Sequence, residues 1–103
     1  MFDDDENQAT ILVGRKPAMS YVLATVNQFR NGKTRVRLKA RGNAISRAVD
    51  VAEILRNRFL TNTELQNIEI STETLTTDAG DDIKVSSIEI FLFNDNVEPE
   101  EEE

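Results

Sequence analysis

Apolar and polar positions change period several times along the chain, and each change marks an element. Thr10-Ile11-Leu12-Val13 is a short β-branched run closed by Gly14, which reads as a first strand. Pro17 follows Arg15-Lys16 and suits the first turn of a helix, where a missing N–H costs nothing. Ala18, Val22, Val26 and Phe29, flanked by Met19 and Leu23, then recur at helical spacing. Asn31-Gly32 supplies residues that tolerate the left-handed conformation at a helix end. Thr34 to Ala40 alternates strictly, with Val36, Leu38 and Ala40 on one face and Arg35, Arg37 and Lys39 on the other. Arg41-Gly42-Asn43 reads as a turn with Asn43 as N-cap. Ile45, Ala48, Val49, Ala52, Leu55 and Phe59 then keep the i, i+3/i+4 pattern of a second amphipathic helix. From Leu65, Ile68, Ile70, Thr72 and Thr74 alternate with Asn67, Glu69, Ser71 and Glu73. Thr77 to Asp82 is a turn cluster, and Ile83 to Phe93 returns with Ile88, Ile90 and Leu92 on its core face.

Strand, helix, strand, helix, strand, strand predicts an α/β fold. Two crossovers followed by a hairpin build a two-layer sandwich, a four-stranded mixed sheet with two helices on one face. The hairpin is long for so small a sheet and polar from Ser71 to Ser87, so its tip is predicted to project as a two-stranded arm. Phe91 and Phe93 fall on the outward face of the last strand, and Val51 and Ile54 fall off the apolar stripe of the second helix. That much uncovered apolar surface favours a dimer.

Charge divides the chain differently. Residues 1–14 carry a net −4, residues 15–58 a net +9 and residues 59–103 a net −12, which together give the overall −7. Setting aside the acids at the two ends leaves residues 11–94 at +3. The organisation predicted is therefore a mildly basic domain, 10–94, between two acidic tails, 1–9 and 95–103, too poor in apolar residues to order themselves. The tails would aid solubility or compete for the domain's own basic face. At 103 residues the chain supports one domain. No apolar run approaches the ~18 residues of a membrane span, and the acidic amino end is the reverse of a targeting signal.

The absence of His and Cys removes the commonest general base, the commonest metal ligands and any disulfide. Asp81-Asp82 and Asp3-Asp4-Asp5 are adjacent carboxylates better explained as turn and tail, and Gly14 and Gly42 stand alone rather than in a phosphate-cradling loop. No catalytic residue, cofactor or metal is expected. The basic positions carry more. Arg15 and Lys16 lie in one strand-to-helix turn, and Lys39, Arg41 and Asn43 in a second. If the first two strands are neighbours, both turns open at the C-terminal edge of the sheet, where ligands bind in such folds and helix N-termini favour anions. Arg47, one turn into the second helix, extends the patch. Such an arrangement suits sugar–phosphate contacts, and the competing reading is a solvated rim.

Gly14-Arg15-Lys16-Pro17, then Lys39-Ala40-Arg41-Gly42-Asn43-Ala44-Ile45-Ser46-Arg47-Ala48-Val49-Asp50, then Arg56-Asn57-Arg58-Phe59 form three distinctive stretches. Together, within a similarity running from about Ile11 to Phe93, they resemble the Alba family of archaeal chromatin and RNA-binding proteins. The resemblance implies a βαβαββ fold shared with the C-terminal domain of a bacterial translation initiation factor, a homodimer, and largely sequence-independent binding of double-stranded DNA and of RNA. It places nucleic-acid contacts at Arg15, Lys16, Lys39, Arg41 and Asn43 with Arg47 nearby, and matches Tyr21 to a tyrosine near that surface. Phe59 matches an aromatic used where dimers meet side by side along DNA, and equally fits the core. Cytoplasmic, chromosome-associated localisation follows from the same resemblance. Three positions depart from the family pattern. Arg15 stands where a lysine is common, leaving Lys16 as the residue open to acetylation. Asn43 stands where many members have arginine, and Asp78, Asp81 and Asp82 stand at a hairpin tip that is usually basic. The alternatives are an RNA-directed chaperone or ribonucleoprotein accessory, and a protein-interaction module acting through the acidic tails.

Overall fold

A computed structural model describes residues 6–98; the outer parts of both acidic tails lie outside the described residues. The first strand, β1 (Gln8–Leu12), starts two residues before the β-branched run. Its reach comes from pairing with β2 (Arg35–Arg41), since Gln8 and Ala9 lie opposite Arg35 and Val36 in a parallel ladder. Helix α1 (Ala18–Arg30) begins after Pro17 and stops at Asn31, with Gly32 in the left-handed region at φ 102°. Helix α2 (Ile45–Ile54) carries the chain to β3 (Glu64–Thr76), and β4 (Asp82–Phe93) returns antiparallel to it. The sheet order is β1-β2-β4-β3, so β4 fills the slot between the strands that α2 joins.

Both helices lie on one face, over β1, β2 and β4. The core there contains Val22, Val26 and Phe29 from α1, Val36 and Leu38 from β2, and Ile90 and Leu92 from β4. Each fully buried Leu or Val in it contributes roughly 1.5–3 kcal/mol of transfer free energy. Thr25, also buried, satisfies its hydroxyl on the Tyr21 carbonyl at 2.8 Å. Beyond the Ser71–Ser87 pair no third strand accompanies the hairpin, which continues to Thr76 and Asp82 as the projecting arm.

Three local expectations need correction. Asn43 is not an N-cap: Gly42–Ala44 form a 3-10 turn, and α2 starts behind Ala44 with no side-chain cap. Gly42 makes that turn possible at φ 59°, and a Cβ there would meet Val85 Cγ1 at 3.4 Å. The buried stripe of α2 is rotated so that Val51 is fully buried and Val49 is 42% exposed. The two stripes are about equally apolar, and packing on the sheet selects one. Phe59 leaves the core because Leu55–Phe59 form a π turn, closed by Leu60 N–H donating to the Leu55 carbonyl at 2.8 Å. One residue is thereby inserted and the helical phase breaks. A further feature that the pattern did not address is the apolar face of β3, which finds no helix above it. Leu65, Ile68 and Ile70 continue the face of Leu92, Ile90 and Ile88 but remain exposed, Ile70 at 79%.

Candidate nucleic-acid interface

Because β1 and β2 are parallel neighbours, their C-terminal ends deliver two chain reversals to the same edge. The Val13 N–H donates to the Lys39 carbonyl at 2.8 Å, carrying the ladder into the first turn. Between the turns lies an open concavity of about 750 Å³. Arg15, Lys39, Arg41, Asn43 and Arg47 line it, which unites five of the expected site residues. Lys16 and Tyr21 lie outside the lining, although both belong to the first turn's framework. Phe59 is far from this set, beside Arg30 and Asn62 at a second, smaller depression.

The first turn is held by side chains from both helices. The Tyr21 hydroxyl accepts the N–H of Gly14 at 3.0 Å and of Lys16 at 3.1 Å. Those two bonds bend the chain around the phenol and leave Arg15 and Lys16 on the outside of the bend, both exposed. Arg47 Nη1 donates to the Gly14 carbonyl at 2.7 Å, tying α2 to the same turn. Part of the Arg47 guanidinium is thus committed to architecture, while its charge remains at the site. The Lys16 N–H holds the Tyr21 phenol below its ordinary range, aided by the Gly14 N–H and the charges of Lys16 and Arg47.

The second turn is electrostatically different. Arg41 Nη1 meets Glu73 Oε1 at 3.2 Å, across from the hairpin arm. Lys39 Nζ lies 3.8 Å from Glu89 Oε2, and Arg37 lies 3.5 Å from the other oxygen of that carboxylate. Among the described residues no acid lies within ion-pair distance of Arg15 or Lys16. Reading the sequence strand by strand missed Glu73 and Glu89 as neighbours of the basic turns. Glu89 sits directly opposite Lys39, a pairing that follows only once strand order and register are both known. Arg56 pairs with Glu53 at 2.7 Å, as their helical spacing suggests.

Such half-exposed pairs are worth about 0–1 kcal/mol. A phosphate can displace the carboxylates at small cost, so the edge offers charge-assisted donors to an extended anion. No group of three or more metal-ligating side chains occurs among the described residues. No helix among them is long and apolar enough to cross a membrane.

The family profile named Alba matches residues 9–72. The DNA/RNA-binding protein Alba of Methanocella arvoryzae is 61% identical over 82 residues, 80% of this chain and 85% of that protein. The protein of the same name from Methanothrix thermoacetophila is 55% identical over 92 residues, covering 89% of this chain and 98% of its own length. Among solved structures, Alba from Thermoplasma volcanium superposes with a TM-score of 0.78 at 49% identity, over 82% of this chain and 99% of that one.

Proposed function

The chain belongs to the Alba family, and from that premise we propose that it binds double-stranded DNA and RNA through the phosphate backbone, as a homodimer that helps organise the chromosome. The observation that carries this reading is the pair Arg15 and Lys16, without an acid in ion-pair distance among the described residues, beside a concavity whose wall adds Lys39, Arg41 and Arg47. Contacts of that kind go to sugar and phosphate and carry no sequence information, so binding is largely indifferent to sequence. Asn43 adds a neutral donor where a further cation would strengthen the grip. Lys16 is the acetylatable cation of the first turn, and loss of its charge would weaken binding. A cytoplasmic, chromosome-associated protein with no catalytic activity fits this role.

The homodimer reading rests on β3. Leu65, Ile68 and Ile70, with Val49 of α2, form apolar surface that the chain's own helices leave uncovered. A second copy brings an identical surface and closes the face by two-fold symmetry. It would also bring a second pair of basic turns to the same duplex. Phe59, 41% exposed, stands apart from that face and is available for contact between dimers. Replacing Ile68 and Ile70 with Glu is expected to give monomers by sedimentation equilibrium; a double variant that sediments like the parent overturns the β3 interface. Titration of the full chain with duplex DNA and structured RNA tests the function itself, and no binding of either at ~50 mM salt overturns it.

A further inference from the structure

The face of the sheet opposite the helices carries two rows of different chemistry, half-buried except at Arg41. On β2, Arg35, Arg37, Lys39 and Arg41 point outward in succession. On the neighbouring strand β4, Phe93 lies directly opposite Arg35, and Phe91 directly opposite Arg37. Both strands are central in the sheet, and no helix covers this side of them. Both rings are half-buried among strand neighbours. The Arg37 guanidinium lies 6.0 Å from the Phe91 ring centre, and it is held in place by Thr10 at 3.0 Å and Glu89 at 3.5 Å.

We propose that this open face is a second binding surface, for single-stranded nucleic acid, with the backbone over the β2 cations and bases stacked on Phe93 and Phe91. The proposal rests on the nucleic-acid reading above for its ligand class; Arg35, Arg37, Phe91 and Phe93 lie outside the basic turns, while Lys39 and Arg41 are shared with the second of them. Three features support it. Neighbouring strands lie ~4.7–4.9 Å apart, so each ring has a cation beside it at the sideways offset between a base and its backbone. Residues two apart on one strand are separated by ~6.6–6.8 Å, twice the ~3.4 Å rise per nucleotide of a stacked strand. Two bases can therefore occupy both rings only when they are unstacked, which a single strand permits and a duplex resists. Central-strand aromatics on an open four-stranded sheet meet the general requirement for such stacking.

The acids on this side give the path a direction. Glu64 and Glu69 lie on the β3 edge, opposite Phe93 and Glu89 respectively. They repel a backbone from β3 and leave the β2 row as its track. Glu89, on β4 across from Lys39, faces that row but is already bridged by Arg37 and Lys39. At its Arg41 end the row enters the concavity, so a strand leaving the platform arrives at the basic turns.

The test compares ligands on the full-length protein. Anisotropy titrations use a single-stranded oligonucleotide of about 12 nucleotides, within the usual site size, and a duplex of mixed sequence. Replacing Phe91 and Phe93 together with Leu keeps apolar bulk and removes the stacking surface. Single-strand affinity is expected to fall at least about fivefold, while duplex affinity changes less than twofold. Tyr at both positions keeps the π-face and should restore single-strand binding. Photocrosslinking of wild type to a 5-iodouracil single strand needs no variant, and adducts are expected on β4. Equal losses for both ligands, no loss for either, or adducts confined to the first turn overturn the proposal. A change of oligomeric state in the Leu variant also overturns it, because the face would then be a contact between copies. Wild type that binds neither ligand contradicts the proposed function instead.

Discussion

The two basic turns look alike in composition and differ in what their charges face. In the first, Tyr21 and Arg47 hold the backbone of Gly14 to Lys16, and Arg15 and Lys16 have no acid within reach among the described residues. In the second, Lys39 and Arg41 sit 3.8 and 3.2 Å from Glu89 and Glu73. A cation paired with a carboxylate must exchange that partner for phosphate, whereas an unpaired one exchanges only water and counterions. The first turn should therefore supply more affinity per charge, and the second should be tuned by its acids.

The largest expected effect follows directly. Arg15→Ala with Lys16→Ala should weaken duplex binding at least about tenfold at moderate salt, for all sequences alike. Arg41→Ala should cost less, about three- to tenfold, part of it from leaving Glu73 without a partner. Its counterpart sharpens the comparison: Glu73→Gln should strengthen binding by up to about fivefold, the worth of an exposed pair. Unchanged affinity in that variant would equate the two turns.

Tyr21→Phe examines the framework rather than the charges. It keeps the ring and removes the acceptor of two N–H groups, so a loss of roughly two- to tenfold is expected. Amide exchange at Gly14 and Lys16 should quicken in the same variant, which loss of a direct phosphate contact would not produce. The smallest effect is reserved for the acidic end. β4 finishes at Phe93, at the sheet edge opposite the basic turns, so removing residues 95–103 should strengthen binding only slightly, at low salt and not at high salt.

Period and turn chemistry made the order of elements, the projecting hairpin and the shared edge of the two basic turns legible in the sequence. The first two depend on neighbours within a few residues, where local preference dominates, and the shared edge follows from the parallel crossover that joins β1 to β2. What escaped depends on partners far along the chain. Val51 and Val49 offer α2 alternative stripes, and only the sheet beneath decides between them. The π turn that expels Phe59 follows no local signal we recognise. The ion pairs of Arg41 with Glu73 and Lys39 with Glu89 cross 32 and 50 positions, and need both strand order and register to be seen. The uncovered face of β3 likewise appears only once the helices are known to end over β4.

The salt dependence of duplex affinity, measured for wild type, for Arg15→Ala with Lys16→Ala and for Lys39→Ala with Arg41→Ala, tests the division of labour most directly. Each lost phosphate contact lowers the slope of log affinity against log salt by about 0.9. The first-turn variant should lose nearly two such contacts per protomer, and the second-turn variant about one or fewer. Equal losses, or a larger loss from the second turn, would contradict the central role of Arg15 and Lys16.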